Sequence, residues 1–417
     1  MASTLNAATF WIAFTFGAHI MMVNLSIGLS PLMVYYRNKA VGDKRFEGVA
    51  RTLARFYAAT YGVAGVFGTA YTVFLLSFYP KFIGLAGHIA LIPFAIAILM
   101  IALHFLMLAL YWYGWDRWSL TTHNIIGALL VISVLLIPLG FRAVFSFLNV
   151  PTGLHFDAAS GKFYLSVSEF LRHNPTFWWL YLKSIVAAFT ATFVAVAGGY
   201  AYKYLRSEGE EKEVALEVST KMVRLALIGL VLMFFLGLAY ALSLRAVHYK
   251  FNNIFGGFGW KVGSGQVAYN FSWLFALKMI FYVFQIVAVV AAYRAISSGS
   301  GLSEGQAKML LYAGFVALAT IAAGEFLNAF SQYPYFIAAL GDVNENSVAG
   351  QTIANLISEI PANQRAEVVS YLLNVLNLEN VNQIAVLPGV TALTIAFLAF
   401  LVPSAIYFIY MLLKPSK

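Results

Sequence analysis

The chain has 417 residues, of which 61% are hydrophobic, 16% aromatic and only 10% charged. Soluble globular proteins carry about 25% charge, and the mean hydropathy here is +0.79 over the whole length. A water-soluble domain, a soluble enzyme on one anchor and a disordered chain are therefore all excluded. With no cysteine, disulfides, thiolate metal sites, iron–sulfur clusters and covalently attached c-type haem are excluded too. The net charge of +9 does not point to nucleic acid, because the basic residues sit in short loops beside apolar segments, where they orient a membrane protein.

In chain order, nine apolar segments stand at roughly 8–36, 50–79, 86–114, 121–147, 177–206, 218–244, 266–297, 307–331 and 387–413. Each reaches the length of about 20 residues that a membrane-crossing helix needs, and none shows the short period-two pattern of an outer-membrane strand. The start, MASTLNAATFWIAF, lacks a basic n-region and cleavage site, so the first segment is expected to be retained. Lysine and arginine gather in alternate loops: Arg37, Lys39, Lys44, Arg45 and Arg51; then Arg117; then Lys203, Arg206, Lys212, Lys221 and Arg224; then Arg294 and Lys308; then the tail lysines Lys414 and Lys417. These loops are expected on the cytoplasmic side. The intervening loops are longer and poorer in cations. The loop at 148–176 contains the pair Asn174–Pro175. The stretch 341–386 carries Asp342, Glu345, Glu359, Glu367 and Glu379 against Arg365, with leucine, isoleucine and valine at helical spacing over 348–359 and 362–378, separated by Pro361.

The expected architecture is an all-α membrane protein, a nine-transmembrane-helix bundle with its N-terminus outside, its C-terminus cytoplasmic and an outer amphipathic helical cap. Residues 1–417 form a single polytopic membrane domain, with 341–386 as the outer loop between the eighth and ninth helices. No internal repeat is visible, which weakens an inverted-repeat transporter.

Ionisable groups within apolar segments are costly and so informative. His19 lies in the first segment and His104 in the third; each is either a hydrogen-bonded packing histidine or a haem ligand, neutral imidazole being a good axial donor. Arg142, Lys183 and Lys278 lie near the outer interface, where snorkelling is one account and pairing with an anion, such as a haem propionate, the other. Glu325 shares a helix face with Asn328 and is open to three roles: iron ligand, proton carrier, or partner of a basic residue. His88, His123, His155, His173 and His248 fall in loops or at segment ends and are expected at the surface. The run GVAGVFG at 62–68 reads as close helix packing.

Several stretches, in this order, resemble subunit I of the cytochrome bd quinol oxidases. They are FTFGAHIMMVNLSIGLSPLM around His19, YGWDRW at the end of the third segment, FLNVPTG and SEFLRHNP around the first long loop, and SQYPY after the eighth segment. The resemblance spans most of the chain and implies a multi-pass protein of the prokaryotic plasma membrane, working in a respiratory chain as half of a heterodimer. It also exposes departures. The position of the histidine that ligates haem b558 in that family falls on Lys183, and a protonated lysine cannot ligate iron. The methionine on the other side of that haem falls near Met279, with Lys278 in place of a neighbouring arginine. The family's glutamates in the third helix fall near Ala97 and His104, and the glutamate ligating a high-spin haem aligns to Ala322, one turn from Glu325. The segment GTAYTVFLLSF carries no carboxylate. The long quinol-binding loop has shrunk to RAVHYKFNNIFGGFGWKVGSGQ. Among the haem ligands, His19 alone is retained.

The resemblance and its departures together imply a divergent, subunit-I-like second subunit of a bd-type heterodimer. Such a chain supports a catalytic subunit I partner and is non-catalytic or only partly haem-binding. Its candidate cofactor-binding residues are His19, His104, Glu325, Met279, Lys183 and Lys278, with His19 as the candidate iron ligand of a haem b; a quinone or lipid is the other candidate ligand. Two alternatives remain: a haem-containing oxidase in its own right with altered ligands, and an ion or solute transporter with Glu325 and Lys183 on its path.

Overall fold

The computed structural model describes residues 2–380 and Ala399; apart from Ala399, the ninth apolar segment at 387–413 and the tail lysines lie outside them. Among the described residues, eight helices are long and apolar enough to cross a membrane. They are α1 (Ala2–Gly42), α2 (Glu47–Phe78), α4 (Leu91–Tyr113), α5 (Leu120–Asn149), α7 (Phe177–Arg206), α8 (Gly209–Ser243), α10 (Ser272–Ser297) and α11 (Glu304–Phe330). Shorter helices fill the turns at one end: α3 (Pro80–Ile89), α6 (Val167–His173), α9 (His248–Phe255), α12 (Val348–Glu359) and α13 (Ala362–Val375).

Local chemistry sets the helix ends. Ser119 accepts the N–H of Thr122 to start α5, and Ser303 and Gln306 form a reciprocal capping box at α11. Asn174 accepts the N–H groups of Thr176 and Phe177, each at 3.0 Å, while its amide donates to the carbonyls of Ser146 and Val150. One side chain thus starts α7 and ties it to the end of α5. Pro80 opens α3 and Pro361 separates α12 from α13, as a residue lacking an N–H must.

Small residues let the helices approach closely, which is how helices pack where lipid removes any hydrophobic drive between them. α7 crosses α11 at Gly198, where an added Cβ would lie 2.5 Å from the carbonyl oxygen of Leu310, and at Gly314, where it would lie 2.9 Å from Cα of Ala195. The run at 62–68 packs on α1 as expected, Val63 and Phe67 clustering with Ala18 and Met22. A Cβ on Gly65 would meet nothing within 4 Å, whereas Gly68 makes room for the ring of His19.

The two ends of the bundle differ in charge. At one end Arg51 bonds Asp116, Lys39 bonds Glu217 and Lys203 bonds Glu211, so the cation-bearing loops lie together as their alternation predicts. At the other end stands the cap. A hairpin of two antiparallel strands, β1 (Leu154–Asp157) and β2 (Lys162–Leu165), pairs Leu154 with Leu165 and Asp157 with Lys162. The sequence reading has no strand here. Phe82 of α3 stacks on Phe336 at 3.7 Å between centroids, within an apolar cluster that includes Phe78, Phe170, Ile353 and Leu356. Tyr79 donates to the carbonyl of Leu378, and the N–H of Leu378 donates to the carbonyl of Pro334, so the chain after α13 returns to the bundle.

Polar clamps hold the cap. Asp342, fully buried, accepts the backbone N–H groups of His248 and Tyr249 and the hydroxyl of Ser347. His155 of β1 stands between two carboxylates, Nε2 at 2.8 Å from Glu169 of α6 and Nδ1 at 2.9 Å from Glu359 of α12. Both nitrogens donate only in the imidazolium form, and the two carboxylates raise the His155 pKa above its ordinary value.

Two outcomes follow from this packing. Gly198→Ala forces the α7 and α11 backbones apart and is expected to cost about 1–3 kcal/mol, read as a lower Tm in detergent. The His155 clamp is complete below the ordinary histidine pKa and is lost as pH rises through the raised folded value. Hydrogen exchange in the hairpin and α12 is expected to increase as pH rises above about 6.5, and His155→Gln is expected to remove that dependence.

Candidate functional site: a buried cationic cluster below the cap

The ionisable side chains in the cap-side half of the bundle turn inward. Arg142 of α5 and Glu325 of α11 form a bidentate pair, Nη1 to Oε2 at 2.8 Å and Nη2 to Oε1 at 2.7 Å, with side chains 5% and 9% exposed. Lys183 of α7 is buried, its Nζ 4.5 Å from the ring centroid of Tyr240. Lys278 of α10 is half-buried against α11, where a Cβ on Gly324 would lie 3.7 Å from its Nζ. Lys250 of α9 is fully buried and donates to Asn149 at 2.6 Å and Gln332 at 3.3 Å. Burial pushes its amine down to about 7. Glu325 lies within electrostatic reach of all three lysines, while its direct ion pair, among the described residues, is with Arg142. Tyr240 donates to Asn328 at 2.7 Å and closes the cluster on the α8 side.

This geometry decides among the roles open to these residues. Arg142 and Lys183 do not snorkel: both are buried within the bundle, whose cap-side end is covered by the cap and α9. Glu325 is paired with a basic residue, both of its oxygens accepting from Arg142. His104 is fully buried with both ring nitrogens occupied. Nε2 meets the hydroxyl of Tyr57, and Nδ1 lies 2.8 Å from Ser133 Oγ and 3.1 Å from the Leu130 carbonyl. Its place is in the packing of α2, α4 and α5. His123, expected at the surface, is 1% exposed and donates to the Tyr111 carbonyl at 3.0 Å. Met279 is half-buried and leaves α10 about 100° around the helix from Lys278.

His19 differs from His104. Its Nδ1 lies 2.7 Å from the carbonyl of Ala64, which fixes the proton on that nitrogen and turns Nε2 into a lone-pair donor, the arrangement second-shell carbonyls impose on ligating histidines. His19 therefore fits an axial bond to a haem iron. Lys183, its Nζ packed on the ring of Tyr240, sets an amine where the resemblance places an imidazole. The cap also encloses an apolar cavity of about 90 Å³, lined by Leu85, Phe163, Leu340, Ile353 and Leu372 among others. Its wall provides hydrocarbon contact and no hydrogen-bond donor for a quinone carbonyl.

Lys250, Asn149, Gln332 and Tyr240 escape the sequence reading of the site. A lysine between histidine and two asparagines in HYKFNN, beside apolar Ile254 and Phe255, is the signal that was present. Both of its partners lie in stretches singled out for another reason, Asn149 in FLNVPTG and Gln332 in SQYPY.

Removing one member of a buried ion pair strands the other. Glu325→Gln is expected to cost about 3–5 kcal/mol, seen as a large fall in Tm, whereas Arg142→Met combined with Glu325→Leu is expected to recover only part of it, because Lys183, Lys250 and Lys278 still lose their counter-charge.

Comparison with known proteins agrees with this architecture. The chain is 27% identical over 211 residues to a Bacillus subtilis protein named "Putative cytochrome bd menaquinol oxidase subunit I", a match covering 48% of this chain and 45% of that protein, so it spans about half the length of that relative. The bd oxidase from Geobacillus thermodenitrificans shares the fold, with a TM-score of 0.69 over 98% of both chains at 14% identity. The family model for cytochrome bd terminal oxidase subunit I matches residues 8–248, more than half of the chain. With its succession of apolar helices, the chain belongs to the cytochrome bd terminal oxidase subunit I family and is a multi-pass protein of the prokaryotic plasma membrane.

Proposed function

We propose that this chain is a subunit of a bd-type quinol:oxygen oxidoreductase complex that stabilises a catalytic partner of the same family and does not itself carry the full haem set. The observation that carries this reading is the cluster around Glu325. The position that the resemblance assigns to the b558 histidine holds Lys183, and the nearby carboxylate is consumed by Arg142. With an amine packed on the Tyr240 ring where the resemblance places an imidazole, and both carboxylate oxygens bonded to Arg142, neither position offers the ligand set of that family.

The segment after α8 supports the same reading. Where the family carries a long quinol loop, this chain has the short helix α9, with Lys250, Asn252 and Asn253 all buried. Its start is held by Asp342. A segment fixed at both its backbone and its side chains is built as a plug rather than as a binding loop. Any haem b on this chain would take its axial bond from His19, through Nε2. That group would supply a one-electron redox centre, and the carbonyl of Ala64 would keep the imidazole in the ligating tautomer.

The test is purification of the tagged chain in mild detergent, with mass spectrometry of co-purifying proteins, a haem count and a reduced-minus-oxidised spectrum. A stoichiometric partner of the same family that accounts for the complex's haem, apart from at most one lost in His19→Ala, is the expected result. A full haem complement on the isolated chain, or no partner at all, would overturn the reading.

A further inference from the structure

At the cation-rich end, away from the cluster, α2 and α4 diverge around an open cleft of about 280 Å³. Its lining is Arg51, Ala54 and Arg55 from α2, Trp112 and Tyr113 from the last turn of α4, and Trp115, Asp116 and Arg117 from the turn that follows. The floor is rigid. Trp115 lies between the guanidinium groups of Arg37 and Arg51, 5.1 and 5.4 Å from its ring centroid, and its indole N–H donates to Glu47 at 3.2 Å. Trp118 folds back over Gly114, where a Cβ would lie 2.2 Å from its ring.

Arg51 is already engaged, with Glu47 at 2.8 Å and Asp116 at 3.1 Å. Arg55 and Arg117 are exposed and, among the described residues, have neither an ion pair nor a side-chain hydrogen bond. The cleft therefore offers two uncommitted guanidinium groups, planar forks suited to phosphate oxygens.

Its setting narrows the ligand further. Trp112, Tyr113 and Trp118 are 41%, 69% and 37% exposed at the rim, the aromatic signature of a bilayer interface. Toward the middle of the bundle the surface turns wholly apolar, with Phe56 of α2 and Leu99, Phe105 and Leu106 of α4 exposed. A cationic cleft continuous with an exposed hydrocarbon-facing surface matches an amphiphile in shape and polarity.

We propose that this cleft binds an anionic phospholipid, its phosphodiester held by Arg55 and Arg117 and its acyl chains laid along α2 and α4. A basic residue at an anionic membrane surface strengthens association by roughly fivefold, so two acting together give a selectivity that a headgroup assay resolves.

The full chain, purified in neutral detergent, is titrated with short-chain phosphatidylglycerol, with phosphatidylcholine of the same chains, and with inorganic phosphate, and retained lipid is counted by native mass spectrometry. Phosphatidylglycerol is expected to be retained at about tenfold lower concentration than phosphatidylcholine and to resist displacement by inorganic phosphate. Arg55→Gln with Arg117→Gln is expected to abolish that preference, and Arg55→Lys with Arg117→Lys to keep most of it. Equal retention of the two lipids, an unchanged preference in the glutamine variant, or displacement by millimolar inorganic phosphate would overturn the proposal. Should the glutamine variant fail to fold, the comparison of the two lipids on the unmodified chain decides it.

Discussion

The cap-side half of this protein depends on one ion pair. Moving a guanidinium and a carboxylate out of water is expensive, and the attraction between them offsets that cost only when geometry is good and the remaining hydrogen-bonding sites are filled. Arg142 and Glu325 meet the first condition with two parallel bonds below 3 Å. Glu325 also lies within electrostatic reach of Lys183, Lys250 and Lys278. Four helices and the segment after α8 thus converge on one carboxylate. The cap keeps water from the cluster, and the cluster in turn holds α9, through Lys250, against Asn149 and Gln332.

The fold was largely legible in the sequence because composition alone dictates bilayer-spanning helices, and because the break at Pro361 and the spacing of leucine and isoleucine mark α12 and α13. The hairpin was not legible: its strands are four residues each, too short for an alternating pattern to stand out. The site was legible in its residues but not in their directions. Arg142 and Lys183 sit near a helix end, where an isolated helix would send them to the interface, and only the cap covering that end turns them inward. The same distinction separates the histidines. His19 and His104 look alike as lone histidines in apolar segments, yet Tyr57 and Ser133 occupy both nitrogens of His104 while Ala64 engages only one of His19.

Function resides in sites carried by a fold, so a shared scaffold does not by itself fix the chemistry. Here the chain shares the cytochrome bd subunit I family's architecture, while the cap-side half of its bundle is filled by the Arg142–Glu325 pair and the buried Lys183 and Lys250. The motifs that carry the resemblance have structural work of their own. Asn149 and Gln332 anchor a buried lysine, Asn174 joins α5 to α7, and Trp115 with Asp116 organises the arginines at the far end.

Among the described residues the two ends carry unequal charge, fourteen lysines and arginines against nine acids at the end of Arg51, Arg55, Arg117 and Lys203, and ten against eight on the cap side, so positive charge is weighted toward one pole along the membrane normal. An energised membrane exerts about 2.3 kcal/mol on each elementary charge per 100 mV. With the arginine pole on the electrically negative side, every millivolt the respiratory chain generates presses the protein further into the orientation in which it was inserted. Inversion would require dragging several charges uphill through hydrocarbon against that field.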